Sequence, residues 1–176
     1  IMEAVIESHR RATYNEIQAE WEANRSNSKW EYAPHFDLYQ LIRKARTQRG
    51  SIDFDFPEAE LLVEKTGEVI SIKNRARVDA HRLIEECMLT ANVCAADFIE
   101  KNKHLGLYRV HGEPSEEKLM TLRQVLRTSG LSLDGGEKPK PRDFAKLMRE
   151  IKNRPDANML QTVVLRSMQQ AMYQPD

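Results

Sequence analysis

The residues of greatest chemical interest lie on and around one stretch, 78–103 (VDAHRLIEECMLTANVCAADFIEKNK). Ala80, Ile84, Cys87, Met88, Ala91, Ala95, Phe98 and Ile99 recur at helical spacing for about seven turns. Good helix formers fill the stretch, and neither Gly nor Pro interrupts it. On a wheel of about 100° per residue the apolar stripe centres near Ala91, with Asp79, Arg82, Glu86 and Asp97 on the far side. Glu85 does not join them but shares a flank with Asn92, among Val78, Leu89 and Ala96. From Cys87 to Ala96 the helix is nearly apolar all round, which predicts a buried, central element. A carboxylate on the buried flank of such a helix is unfavourable unless something pairs with it. Glu85 is therefore the first candidate for chemistry, although the pattern alone more often means a helix-edge glutamate held by an arginine.

Tyr14 is the second candidate. It stands among Arg10, Arg11, Thr13 and Asn15, and an aromatic hydroxyl beside two guanidinium groups can stack on a base or touch a phosphate. It can also be an amphipathic edge residue. Asp53 and Asp55 suggest a paired-carboxylate metal site, but strand alternation turns both outward and no further oxygen ligands stand near them. Cys87 and Cys94 are about 10 Å apart along one helix, too far for a disulfide. They read as two buried thiols in a reducing compartment, hence the cytoplasm. Neither they nor the scattered histidines (His9, His35, His81, His104, His111) have metal-ligand spacing.

These residues need elements to position them. Residues 1–23 read as a helix with Val5, Ile6, Thr13, Ile17 and Trp21 along one side. Residues 24–34 form a polar loop, and 35–49 a second helix stopped by Gly50. Residues 51–56 (SIDFDF) alternate strictly, which predicts a half-buried strand with Ile52, Phe54 and Phe56 on one face. Residues 58–72 follow as a hairpin turning at Thr66-Gly67. After the long helix come a short extended run, 107–111, and a helix capped by Ser115 and ended by Gly130. A loop with Gly135-Gly136 lacks the Lys-Ser/Thr of a phosphate loop. Helices over 142–152 and 157–172 complete the chain, the last with Met159, Leu160, Val163, Val164, Met168 and Met172 inward. The expectation is an α+β fold, mostly helical with one small antiparallel sheet, built around the long helix. It reads as a single partial domain: helices over 1–49, strands over 50–75, helices over 76–176.

The totals are those of a globular chain, with 40% hydrophobic and 31% charged residues, enough at 176 residues to bury a core. Lys+Arg and Asp+Glu are both 27, so the charge sum gives no global signal for nucleic acid, while a local basic groove stays open. No run reaches membrane-spanning length. The chain starts already inside a helical pattern, which suggests a piece of something longer.

In order, RGSIDFDF, GEVISI, AHRLIEECMLTANVCAADFIEK, LYRVHGEPSEEK, GGEKPKPRDF and RPDANMLQTVVLRSMQQAMY resemble the catalytic domain of the ribonuclease R / ribonuclease II family. SHRRATY is similar to that family's Ser-His-Ala-Arg-x-Thr-Tyr helix, with Arg10 in place of the alanine. The resemblance covers essentially the whole chain and implies a processive, magnesium-dependent exoribonuclease. Such enzymes hydrolyse single-stranded RNA from the 3′ end to nucleoside 5′-monophosphates, with carboxylate-held metal ions activating water. It implies that Tyr14 contacts the terminal nucleotide and that Phe54, of the RGxxxF strand, stacks on bases. It further implies that the Glu85–Glu86 pair contacts the terminal ribose, a 2′-hydroxyl contact that selects RNA over DNA. The wheel favours Glu85 over Glu86, and the strand pattern by itself makes Phe54 core.

The same resemblance implies that the magnesium-binding aspartates precede Ile1, so that no metal ligand lies in this chain. The Thr-Ser-Pro-Ile-Arg-Arg segment is expected after Asp176, and OB-fold RNA-binding domains are expected in the rest of the parent chain. The expectation is substrate-gripping residues without a metal site, and no cleavage by this piece alone. Two other readings compete: a non-catalytic module gripping RNA ends, and a helical protein-interaction domain, which zero net charge favours.

Overall fold

Thr13 sets the start of the first helix. Its hydroxyl accepts from Glu16 N, and the Glu16 carboxylate accepts from Thr13 N at 2.7 Å, a reciprocal capping box that opens α1 (Tyr14–Ala23). In this computed structural model, which describes residues 2–75 and 77–175, residues 2–12 are not helical. This corrects the helix expected from residue 1. Val5 and Ile6 are fully exposed, and a short helix without a buried face is marginal in water.

α2 (Ala33–Arg49) buries Phe36 and Tyr39 and ends at Gly50. Gly50 has φ +78°, and a Cβ there would lie 2.7 Å from Arg142 Cβ, so only glycine fits both the backbone and the space. The strand expected over 51–56 does not form. Burial does alternate, with Ile52, Phe54 and Phe56 partly buried and Asp53 and Asp55 exposed. No neighbouring strand pairs with it among the described residues; instead Asp55 N donates to the buried Gln161 side chain at 3.0 Å.

β1 (Glu58–Val63) and β2 (Val69–Arg75) make the expected hairpin. α3 (Asp79–Lys101) is the long helix, but its apolar stripe is not buried. It buries Ala80, Leu83 and Glu86, while Ile84, Met88, Leu89, Val93 and Phe98 are exposed. Cys94 is exposed too, which corrects the expectation of two buried thiols; both cysteines are free. Periodicity identifies a helix and the face that favours cover, not the surface that supplies it.

β3 (Tyr108–His111) precedes α4 (Glu116–Thr128), α5 (Pro141–Ile151) and α6 (Ala157–Ser167). Ser115 caps α4 as expected, accepting from Lys118 N. The last helix is shorter than expected: Met168 turns extended, and β4 (Ala171–Gln174) pairs antiparallel with β3, Arg109 opposite Tyr173. Met172, on β4, is consequently exposed rather than inward, and Met159, on α6, is exposed as well. The fold class is α+β, with two two-stranded sheets where one was expected.

The chain divides into two compact units. The first is Ile1–Arg43 with Ala59–Thr90, and the second is Lys44–Glu58 with Ala91–Asp176. The first has a small core of Phe36, Tyr39, Ala80 and Leu83, with Ile17, Trp21, Trp30, Val78 and Cys87 packed on it. The second buries one face each of α4, α5 and α6, with Leu122, Leu126, Ile151, Leu160 and Val164 at the centre. Each such side chain contributes about 1.5–3 kcal/mol relative to exposure. No described helix is long and apolar enough to cross a membrane.

Candidate functional site

Three polar connections fix the start of α3 within the first unit. Ala80 N, one of the four N–H groups that a helix leaves unpaired at its start, donates to Gln18 Oε1 of α1 at 3.1 Å. The buried Tyr39 hydroxyl donates to Asp79 Oδ1 at 3.1 Å and accepts from Arg43 at 2.8 Å. Burial raises the Tyr39 phenol above its ordinary range. Asp79 in turn lies 3.3 Å from Arg82 Nη1. Trp21 stacks on Phe36 at 4.4 Å between ring centroids, which packs α1 against α2.

With α1 tied to α3 in this way, Tyr14 stacks on His81, the centroids 4.1 Å apart and the planes 21° from parallel. Tyr14 remains 42% exposed. Glu85 lies four residues beyond His81, the spacing that places two side chains on one helix face about 6 Å apart. Its carboxylate is gripped by Arg77, with Nε 3.2 Å from Oε1 and a second guanidinium nitrogen on Oε2. The structure therefore places Tyr14, His81 and Glu85 in one unit. It gives Glu85 the arginine partner that the helix-edge alternative anticipated.

The two glutamates have exchanged their expected environments. Glu85 was assigned to the buried flank and Glu86 to the polar side. The Glu85 side chain is 41% exposed, whereas Glu86 is 6% exposed. The wheel centred its stripe near Ala91, but the covered face of α3 is set by its first turns, through Ala80 and Leu83. Glu86 lies three residues from Leu83 and follows it inward.

Phe54 belongs to the second unit. It lies parallel to Phe56, at 5.8 Å and 8°, and packs against the α4–α6 core, as the strand pattern suggested. Asp53 lies 3.8 Å from Arg46 and is solvated. Among the described residues no three His, Cys, Asp or Glu side chains are placed to hold a metal ion, so these residues do not fit a magnesium centre. Sequence reasoning missed Gln18, Arg77 and His81. The i, i+4 spacing of His81 and Glu85 was available to it; the contact between Gln18 and Ala80 leaves no periodic trace.

An exposed tyrosine stacked on a partly buried histidine, with an oriented carboxylate on the same helix, can receive a nucleoside, the ring extending a base stack and the carboxylate accepting from a sugar hydroxyl. Comparison with known proteins identifies relatives of the chain. Ribonuclease R of Escherichia coli (strain K12) is 44% identical over 183 residues, covering 99% of this chain and 22% of the relative. Ribonuclease R of Vibrio cholerae is 42% identical over 180 residues with the same coverage. This chain thus spans 22% of the length of those relatives. Among solved structures, the apo form of Mycoplasma genitalium RNase R aligns with a TM-score of 0.83 at 26% identity, covering 93% of this chain and 26% of that one. The same enzyme in complex with ribose methylated single-stranded RNA aligns at 0.82, with the same identity and coverage. The family model described as RNB domain matches residues 1–176, and the chain belongs to that family.

Proposed function

We propose that this chain supplies the RNA-gripping part of a processive 3′-to-5′ exoribonuclease. The proposed enzyme hydrolyses single-stranded RNA with magnesium and releases nucleoside 5′-monophosphates. The observation that carries the reading is the stack of Tyr14 on His81, which precedes the Arg77-held Glu85 by four residues on α3; Tyr14 and the Glu85–Glu86 pair are among the positions that the family resemblance singles out. In this reading Tyr14 contacts the terminal nucleotide and Phe54 stacks on bases near the 3′ end. Glu85, rather than the buried Glu86, accepts from the terminal 2′-hydroxyl, a donor that DNA lacks. Arg77 orients the Glu85 carboxylate by holding both its oxygens.

Its partners are single-stranded RNA and the OB-fold domains and remainder of a parent chain. A cytoplasmic setting accords with two free thiols. The described residues do not fit a magnesium ion, so no step is routed through one, and the 176-residue chain by itself is expected to cleave nothing.

The test is a chimera in which this chain replaces the matching segment of E. coli ribonuclease R. The chimera is expected to shorten 5′-labelled single-stranded RNA stepwise with magnesium, while the chain alone does not with magnesium or with a chelator. Glu85→Ala in the chimera is expected to weaken RNA-over-DNA selectivity by about tenfold, the worth of one hydrogen bond to a charged group. Tyr14→Ala is expected to change the smallest product. Unchanged rates on both substrates would remove Glu85 from the site, and unchanged product size and rate would make Tyr14 structural. Cleavage by the chain alone would mean that metal ligands lie within it.

A further inference from the structure

Tyr14 is fixed twice over, once through its backbone and once through its ring. The Thr13 capping box makes it the first residue of α1. Gln18 stands four residues on, the spacing that puts two side chains on one helix face. These two residues meet consecutive residues of α3. Gln18 Oε1 accepts from Ala80 N at 3.1 Å, and the Tyr14 ring stacks on His81 at 4.1 Å and 21°. The Gln18 contact ties the two helices together beside the buried Ala80. It does not choose among the staggered rotamers open to a helical tyrosine. Among the described residues His81 is the one ring that stacks on Tyr14.

His81 is suited to make that choice. It is the third residue of α3, and its N–H donates to Val78 O at 3.1 Å, so its backbone belongs to the anchored start of the helix. The side chain is half-buried, with Nδ1 shielded from solvent. Tyr14 keeps 42% of its surface open. The inner ring is held and the outer ring is presented. A stacked aromatic pair has a preferred geometry that a plain apolar contact lacks.

We infer that His81 is a positioning residue for the nucleotide contact: the face of its imidazole sets the orientation of the Tyr14 ring. It acts through the flat ring rather than through a hydrogen bond to RNA. The inference rests on the reading of Tyr14 as a nucleotide contact and adds a residue behind it. Glu85, one turn farther along α3, is held by Arg77 and does not depend on the stack.

The experiment compares two substitutions in the chimera with E. coli ribonuclease R. His81→Phe keeps a flat ring and discards the nitrogens, whereas His81→Gln keeps a polar donor and acceptor and discards the ring. Thermal melts check that both remain folded. His81→Gln is expected to shift the smallest product in the direction of Tyr14→Ala. It should also lower kcat/KM on single-stranded RNA by about two- to tenfold, the contribution of one aromatic pair. His81→Phe is expected to restore the wild-type product. The double variant Tyr14→Ala/His81→Gln is expected to match Tyr14→Ala, because the support has no effect once the supported ring is gone. RNA-over-DNA selectivity is expected to stay at the wild-type value in both His81 variants.

Loss with His81→Phe as well as His81→Gln would overturn the inference in favour of a hydrogen bond made by the imidazole. Loss of selectivity in step with product size would overturn it as a general disturbance of the start of α3. A wild-type product from His81→Gln beside an altered one from Tyr14→Ala would overturn it and leave the Tyr14 reading standing. No change with Tyr14→Ala would overturn both. Proton NMR of the 176-residue chain follows the stack directly. The Tyr14 ring protons are expected to lie upfield over the imidazole face and to return toward free-tyrosine positions in His81→Gln; identical positions in the two would overturn the stack itself.

Discussion

Ten buried apolar side chains form one cluster in the second unit, drawn from α4, α5, α6 and Leu133 between them. The corresponding cluster of the first unit has four, one of them the hydroxyl-bearing Tyr39. What the first unit lacks in apolar burial it replaces with directed polar contacts: Gln18 on Ala80 N, Tyr39 on Asp79, Arg77 on Glu85. Apolar burial is non-directional and tolerates small shifts, whereas a hydrogen bond weakens steeply when misaligned. The unit proposed to aim a tyrosine and a carboxylate concentrates its directional contacts at the start of α3.

That contrast can be broken by mutation. Ile151 is fully buried, and Ile151→Ala is expected to destabilise the second unit by about 2–5 kcal/mol. Hydrogen exchange should show lost protection in α4–α6, with the stacked Tyr14–His81 pair unaffected. Equal loss of protection around Tyr14 would mean that the two units do not hold themselves together separately. Gln18→Ala removes an acceptor from a buried helix start, at about 1–3 kcal/mol. Protection of the first amides of α3 should fall while α5 and α6 keep theirs; no change at Ala80 would dismiss the anchor.

Thr13→Ala deletes the cap that starts α1 one residue before Tyr14, an effect of about 1 kcal/mol. It sharpens the comparison because its expected signature is positional: in the chimera, product size should shift more than the melting temperature does. A melting change with no change in product would make the cap purely structural.

The smallest effect is with acid. Glu16 is held below its ordinary value of 4.5 by the Thr13 backbone N–H, and Glu20 below it by Arg10. Groups whose folded values are depressed contribute stability above their unfolded values and lose it as pH falls through the folded ones. Helicity of α1 should therefore decline as pH falls below about 4.5. Glu16→Gln should remove part of that decline, and an identical acid profile in the variant would exclude the capping carboxylate as its source.

Sequence reading served the two units unequally, for the same reason. Leu119, Leu122 and Leu126, then Phe144, Leu147, Met148 and Ile151, repeat at helical spacing and are buried where spacing puts them. Ser115 and Gly50 bounded their helices as residue chemistry dictates. The helix expected over 157–172 runs into the first half of β4, because Ala171–Gln174 is extended only through its pairing with β3, a partner far back in the chain. At the candidate site, Tyr14 and Glu85 were legible by type and by resemblance. Their environments were not, since Glu85 owes its exposure, and Glu86 its burial, to which turn of α3 meets Phe36 and Tyr39.

The β3–β4 ladder has a consequence for the order of assembly. All of α4, α5 and α6 lie between its strands, so the register of Tyr108 with Gln174 closes a loop that contains the whole second core. Contacts so distant in sequence form late, after the local helices have shortened the chain that must be closed. The ladder then acts as a latch on a finished core. Its amides are expected to be the last to gain protection on refolding, and the first to yield it under mild denaturant.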